Sequence, residues 1–182
     1  DEVALGGYCM NGLTITNGSE ITNVYGASNS ILENTSLGNN MTCITGVEYD
    51  EDGNLWIVNA YSPKILKVRT ADGSWYAMST NPMISNAYAS ELAIDYNGNK
   101  WVGIYGKGLM GYKDNGTISN TSDDIIKVML TGEGSGNMPS DNVTALAADF
   151  DNEIWIGTDN GLAVLYNSEG VFSAAGTTDV SR

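Results

Sequence analysis

Histidine is absent from this sequence of 182 residues, and cysteine is nearly so. Without histidine the chain has no Ser-His-Asp or Cys-His nucleophile activation, no histidine general base and no zinc site with imidazole ligands. The two cysteines, Cys9 and Cys43, are too few for a four-sulfur metal site or a disulfide framework. We therefore expect none of these catalytic mechanisms, no metal site with such ligands and no cofactor.

Basic residues and long apolar runs are also scarce. The chain has eight Lys and Arg residues against 22 Asp and Glu residues, which gives a net charge of −14. Nucleic-acid binding requires clustered basic side chains that neutralise phosphates, so we expect no nucleic-acid partner. No stretch approaches the roughly 18 apolar residues of a membrane-spanning helix. The 22 glycines and three prolines fit an all-β protein with many turns.

Three tryptophans recur in the same short frame. Trp56, Trp101 and Trp155 each follow an aspartate by six residues, with a polar turn in between, and their spacings are 45 and 54 residues. A repeat of this length built from short strands indicates β-propeller blades rather than a helical solenoid. Because each tryptophan begins a strand at the same place in the repeat, we interpret all three as structural side chains between blades, not as sugar-binding aromatics.

The repeat predicts blades of four antiparallel strands. An inner strand, the tryptophan strand, a third strand and a polar outer strand follow one another along the chain. The chain holds about four blades, the first without its inner strand, and we expect the rest of a larger, seven-bladed propeller to be needed for closure. In the last blade the outer strand is predicted to begin at Gly170. The predicted boundaries are a blade remnant at 1–26 and blades at 41–79, 86–131 and 142–173.

The acidic turns and the cysteines each allow two interpretations. Asp50, Asp52 and Asn54 are spaced like the start of a calcium loop, but glycine comes at the fourth position and no glutamate at the twelfth, so hairpin turns explain them better. A carboxylate pair for glycoside hydrolysis is compatible with the composition, although nothing singles out such a pair. Cys9 and Cys43 fall on neighbouring blades, which leaves a bridge open, but we favour two inert buried thiols.

The loops after the tryptophan strands are the predicted recognition surface. In a propeller such loops gather on one face near the axis, where exposed aromatic and amide groups suit a glycan or a protein. For any single residue a solvated turn is the simpler interpretation. The candidate ligand-binding residues are Tyr61, Tyr105, Lys107, Asp159 and Asn160.

One segment resembles a known propeller repeat. Residues 138–162 contain a proline-serine entry, an apolar strand that ends in aspartate, a turn, a Trp-Ile-Gly-Thr strand and a Gly-Leu strand. This order is similar to the two-component-regulator propeller repeat. The two earlier copies match less closely, and the first blade lacks the tryptophan.

The resemblance implies an extracytoplasmic, non-catalytic binding module from the Bacteroidetes. Such repeats occur in PorZ-like proteins of the type IX (Por) secretion system, which recognise lipopolysaccharide, and in the periplasmic sensors of hybrid histidine kinases. The run from Asn160 to Asn167, followed by Val171 to Ser173, looks more like the PorZ-like copy. The resemblance therefore implies a protein partner or a glycan, in the periplasm or at the outer-membrane surface, with a ligand-sensing regulator propeller as the alternative.

Overall fold

The computed structural model describes residues 2–10, 12–38, 40–173 and 179–181. In these residues the protein consists of fourteen β-strands and two short 3₁₀ helices. The strands form four antiparallel sheets, each built from strands that are consecutive in sequence, so the all-β prediction is confirmed. Neither of these helices is long and apolar enough to span a membrane. The chain divides into two compact units, Asp1–Ala89 and Ser90–Arg182.

Two sheets form the first unit. Three strands make the first sheet, in the order β1-β2-β3, and four make the second, in the order β4-β5-β6-β7. The bounds are β1 Val3–Gly6, β2 Leu13–Thr16, β3 Ile21–Tyr25, β4 Cys43–Tyr49, β5 Leu55–Ala60, β6 Leu66–Arg69 and β7 Trp75–Ala77. A 3₁₀ helix, Pro82–Ile84, follows β7. The first blade is therefore incomplete as predicted, although residues 1 and 11 of the predicted remnant lie outside the described residues.

Two sheets also form the second unit. The order is β11-β10-β9-β8 in one sheet and β12-β13-β14 in the other. The bounds are β8 Ala89–Ile94, β9 Lys100–Ile104, β10 Gly108–Lys113, β11 Ile125–Met129, β12 Val143–Ala148, β13 Ile154–Thr158 and β14 Gly161–Leu165. The second 3₁₀ helix, Glu169–Phe172, follows β14.

That helix corrects one prediction. The outer strand expected from Gly170 is instead part of the 3₁₀ helix, in which Val171 and Phe172 are buried. The physical reason is the aromatic core, because the Phe172 ring lies 5.5 Å from the Trp101 ring. The helical turn directs these two side chains into the core of the second unit, which a polar outer strand would not do.

The same close contact joins the two sheets inside each unit. A side chain at Gly6 on β1 would meet Ile44 Cγ2 on β4 at 2.8 Å. A side chain at Gly103 on β9 would meet Val143 Cγ1 on β12 at 2.7 Å. Glycine on the second strand of one sheet therefore admits a β-branched residue at the start of the next inner strand, as in consecutive propeller blades.

Two of the three repeat tryptophans are buried. Trp56 and Trp101 have no solvent exposure, whereas Trp155 is 39% exposed. Side chains alternate along a strand, so Trp155 lies on the opposite face of its sheet from Ile154, which belongs to the core. Leu162, paired beside Gly157 on the Trp155 face, is 54% exposed. The burial of Trp155 between blades that the sequence predicts therefore stays a prediction.

A carboxylate holds each of these indoles. In each copy the indole N–H donates to Oδ2 of the aspartate six residues earlier. The pairs are Trp56 with Asp50 at 2.8 Å, Trp101 with Asp95 at 2.9 Å and Trp155 with Asp149 at 2.7 Å. The other carboxylate oxygen accepts the backbone N–H groups two and four residues after the aspartate. The turn and the tryptophan are therefore one hydrogen-bonded unit, which explains their fixed spacing.

The indole lowers the pKa of Asp149. The largest cause is the hydrogen bond from Trp155, followed by the backbone N–H of Glu153. A carboxylate with a depressed folded pKa stabilises the fold above its unfolded pKa and loses that contribution as the pH falls through the folded pKa. We expect the NMR resonance of the Trp155 indole N–H to titrate below the ordinary Asp pKa of about 3.9. The Asp149→Asn variant should lose this titration, and a midpoint at or above the ordinary pKa would contradict the assignment.

Cys9 and Cys43 form a disulfide, so the prediction of two buried thiols is wrong. The fold brings the cysteines together because β1 and β4 lie side by side. Next to the cysteines, Met10 and Thr42 pair in an isolated antiparallel bridge. The bridge therefore covalently joins the two sheets of the first unit.

Candidate functional site

The predicted recognition loops lie at the same end of the strands in each sheet. The aspartate turns join the inner strand to the second strand, and the next loop joins the second and third strands at the other end. Because adjacent strands are antiparallel, each inner strand also begins at this end of its sheet. We call this end of each sheet the recognition edge. It contains the loop after the second strand and the residues that lead into the inner strand.

Three tyrosines form a cluster at the recognition edge of the first unit. Tyr61 and Tyr88 are stacked, with ring centroids 5.5 Å apart and planes 14° apart. Tyr8 meets Tyr88 edge-on at 6.3 Å and is 59% exposed. Burial, and then the neighbouring tyrosines, raise the pKa of Tyr61, so its phenol is neutral at physiological pH. We call Tyr8, Tyr61 and Tyr88 the tyrosine cluster.

Backbone contacts fix the Tyr61 end of this cluster. Tyr61 has a φ of +58°, which is rare for a bulky residue and persists only where the surroundings impose it. Its N–H donates to the Ala87 carbonyl at 2.9 Å, and its carbonyl accepts the Ser36 N–H at 2.9 Å. Because Tyr88 directly follows Ala87, the same contact brings the two stacked rings together.

A buried lysine braces the Tyr61 loop. Lys67 on β6 has no solvent exposure, and burial lowers its pKa while Glu33 opposes that shift. Its ammonium donates to Glu33 Oε2 at 2.9 Å, Asn59 Oδ1 at 3.0 Å, Ser62 Oγ at 3.1 Å and the Lys64 carbonyl at 2.6 Å. A buried charge is tolerated when its hydrogen bonds are satisfied in this way. Two of these acceptors belong to the loop itself, which is therefore anchored to the strand beneath it.

The second unit brings Asp159 and Asn160 together at its recognition edge. Asp159 Oδ2 accepts a hydrogen bond from Asn142 Nδ2 at 2.6 Å. Asn160 Nδ2 donates to the Pro139 carbonyl at 3.1 Å. The side chains of Ser140 and Asn142 lower the pKa of Asp159 through hydrogen bonds. Both predicted residues are thus engaged with the entry to β12 and shape this loop.

Tyr105 and Lys107 lie on the loop between β9 and β10. Tyr105 is 49% exposed, and Lys107 is exposed as well. Between them Gly106 has a φ of +73°, and a side chain there would lie 3.7 Å from Asn142 Oδ1. The loop therefore reaches the same inner-strand entry as Asp159. Four of the five candidates belong to the second unit, and Tyr61 belongs to the first.

Sequence reasoning missed Tyr8 and Tyr88. Tyr8 lies on the loop after β1. Because the first blade lacks its inner strand, β1 takes the place of a second strand, so the rule that selected Tyr61 also selects Tyr8. It escaped because β1 has no tryptophan to mark it. Tyr88 directly precedes β8, and an aromatic residue at an inner-strand entry is the signal that would have found it.

The tyrosine cluster offers rings and hydroxyl groups for binding. Aromatic rings supply apolar faces, and phenol hydroxyls supply hydrogen bonds at their rims. Within the described ranges, no group of three or more Cys, Asp or Glu residues is placed to hold a metal ion. The arrangement therefore suits recognition of a ligand that is partly apolar and rich in hydroxyl groups.

Several solved structures share this fold. PorZ, a surface component of the type IX secretion system of Porphyromonas gingivalis, matches with a TM-score of 0.85 and 24% identity, over 100% of this chain and 25% of that chain. The extracellular domain of BT3049 from B. thetaiotaomicron, described as a hybrid two component system, matches with a TM-score of 0.64 and 20% identity, over 92% and 20%. Virginiamycin B lyase from Staphylococcus aureus matches with a TM-score of 0.60 and 14% identity, over 92% and 49%. This chain therefore spans about a quarter of the length of PorZ.

A family model matches the segment that the sequence singled out. Residues 137–160 match the model described as Two component regulator propeller, which confirms the resemblance found in the last repeat. Among curated proteins, no sequence matches the chain. The chain therefore has the β-propeller blade architecture found in PorZ and in regulator extracellular domains, and its residues 137–160 carry the two component regulator propeller repeat.

Proposed function

We propose that this chain is a non-catalytic, extracytoplasmic binding module, PorZ-like and serving type IX secretion, and that the tyrosine cluster is its glycan-binding surface. The observation that carries the proposal is the stacked pair of Tyr61 and Tyr88 with Tyr8 edge-on beside it. The likeness to a bacterial surface component and to an extracellular domain supports the location. Since the same fold also serves a lyase, the non-catalytic assignment rests on the site's chemistry and on the lack of histidine.

Sugar rings suit this cluster for physical reasons. The C–H groups of a sugar pack on an aromatic face, and its hydroxyls reach the phenol hydroxyl at the rim. Tyrosine also loses little conformational entropy on binding because it has two side-chain torsions. The net charge of −14 disfavours phosphate-rich ligands. We infer that the polysaccharide part of lipopolysaccharide, rather than its phosphorylated lipid end, is the bound portion.

Alanine substitution of Tyr61 or Tyr88 is expected to weaken polysaccharide binding at least tenfold, which is about 1.4 kcal/mol. The probe is polysaccharide released from Bacteroidetes lipopolysaccharide by mild acid, and binding is measured by isothermal titration calorimetry. Tyr96→Ala is the matched control, because Tyr96 is 55% exposed but lies on an aspartate turn. If the folded variants bind polysaccharide as tightly as the unmodified chain does, the tyrosine cluster is not the binding site.

A protein partner is the competing ligand class. Met10 is 75% exposed and Leu37 is 63% exposed, and both lie on segments next to the tyrosine cluster. If no polysaccharide binds but a purified secretion-system protein does, and Met10→Ser abolishes that complex, the glycan assignment is wrong and the protein assignment replaces it.

The second candidate is the ligand-sensing propeller of a hybrid two-component regulator. The repeat match at residues 137–160 and the likeness to the BT3049 extracellular domain favour it. The two candidates differ in the rest of the protein, since a sensor requires a membrane helix and a kinase, whereas a secretion component carries a small C-terminal secretion domain. The sequence of the complete open reading frame distinguishes them.

A further inference from the structure

The second unit contains a glycine-rich loop between β11 and β12. The loop spans residues 131–137, Thr-Gly-Glu-Gly-Ser-Gly-Asn, and we call it the glycine loop. We propose that it is a binding site for an extended acidic peptide, with aspartate followed by a β-branched residue. The chain's own residues 179–181 occupy this site in the structure.

The backbone of the glycine loop forms an anion-binding concavity. Positive φ values occur at Gly132, Gly134, Gly136 and Asn137. The Gly134 N–H donates to both carboxylate oxygens of Asp179, at 3.0 and 2.9 Å, and the Gly136 N–H donates to Oδ1 at 3.0 Å. Backbone N–H groups that converge in this way bind anions, and their bonds to a carboxylate are roughly twice as strong as neutral ones.

The loop builds this concavity through its own contacts. The Leu130 N–H donates to the Ser135 carbonyl at 2.7 Å, and the Met138 N–H donates to the Leu130 carbonyl at 3.2 Å. A side chain at Gly136 would meet both the nitrogen and the oxygen of Leu130 at 2.7 Å, so glycine is required there. Because these contacts do not involve Asp179, we expect the concavity to keep its shape without the carboxylate.

The next two residues of the occupant add further selectivity. Val180 is 4% exposed and belongs to the core cluster that contains Met129. Ser181 pairs with Val164 of β14 through two backbone hydrogen bonds, both at 2.9 Å. The occupant therefore begins an antiparallel strand on the outer edge of β14, which is the geometry of peptide recognition by β-augmentation.

Three features of the site thus read three consecutive residues of the occupant. The concavity binds the carboxylate of Asp179, the core cluster around Met129 takes the β-branched side chain of Val180, and the edge of β14 pairs with the extended backbone of Ser181. All of these contacts are non-covalent, so a peptide with the same groups competes for the site. Residues 179–181 have the advantage of a tethered ligand, whose effective concentration is on the order of millimolar.

The test is a titration of the Asp179→Ala variant with the peptide acetyl-Thr-Asp-Val-Ser-amide, followed by amide NMR. In the variant we expect faster hydrogen exchange at Gly134 and Gly136, because both amides lose their acceptor. The peptide should restore protection with saturable binding. The peptide acetyl-Thr-Asn-Val-Ser-amide should bind at least tenfold more weakly. Glu133→Ala is the matched control, since Glu133 is an exposed acid in the same loop and its loss should leave the two amides protected.

The unmodified chain supplies a second measurement. Its own segment competes, so we expect it to bind the aspartate peptide at least tenfold more weakly than the Asp179→Ala variant does. Equal binding of the two peptides, equal binding to the two chains, or unchanged exchange in Asp179→Ala would each overturn the proposal.

Discussion

Replacement of Trp101 by alanine is expected to destabilise the protein by about 3–5 kcal/mol. The Trp101 indole is fully buried, lies against Phe172 and donates to Asp95 at 2.9 Å. Alanine leaves a cavity in the second unit and removes the donor that Asp95 uses. Urea unfolding should show a lower midpoint with an unchanged slope, since the surface exposed on unfolding is nearly the same.

Trp155→Ala is the matched control for this prediction. Trp155 makes the same hydrogen bond to its aspartate but is 39% exposed, so its loss should cost roughly 1–2 kcal/mol. Because Trp101 is structural, the Trp101→Ala variant should keep its affinity for ligand at temperatures where it is folded. Equal destabilisation by the two substitutions, or lost binding with unchanged stability, would contradict the structural role of Trp101.

Removal of the disulfide is expected to lower the free energy of unfolding by about 4 kcal/mol. Cys9 and Cys43 are 34 residues apart, so the bridge closes a sizeable loop in the unfolded chain. The measurement is urea unfolding of the Cys9→Ser, Cys43→Ser double variant beside the unmodified chain, each with and without a reductant.

The reductant separates the bridge from the substitution itself. The unmodified chain should lose stability in reductant, whereas the double variant should not respond. Since Tyr8 adjoins Cys9, the double variant is also expected to bind polysaccharide more weakly. An unmodified chain whose unfolding midpoint is the same with and without reductant would contradict this role of the bridge.

The propeller repeat was readable from the sequence because its signal is local. Each tryptophan and the aspartate six residues earlier belong to one hydrogen-bonded turn, so the spacing survives changes elsewhere. The strands were predictable for the same reason, because short runs of alternating apolar and polar residues between turn residues indicate where each strand begins and ends. The missing inner strand of the first sheet was predicted from the same comparison of repeats.

Contacts between distant segments were not readable in this way. The Phe172 side chain packs into the core beside Trp101, so this segment forms a 3₁₀ helix instead of the predicted strand. The pairing of Cys9 with Cys43 depends on how β1 and β4 lie beside each other. Both outcomes depend on tertiary packing, which overrides local pattern.

The candidate sites show the same limit. The rule about second-strand loops found Tyr61, but the cluster also takes Tyr88 from an inner-strand entry. The glycine loop has the composition of a flexible turn, and its carboxylate partner, Asp179, is 43 to 45 residues away in sequence. A site assembled from separate segments leaves no single motif for the sequence to display.

The most direct test of the glycan site is an NMR titration of the chain, labelled with ¹³C-tyrosine, with lipopolysaccharide-derived polysaccharide. The ring resonances of Tyr8, Tyr61 and Tyr88 are expected to shift together with one dissociation constant, while Tyr96 stays unchanged. Shifts confined to Tyr105, or no shifts at any concentration of polysaccharide, would contradict the assignment of the tyrosine cluster as the binding surface.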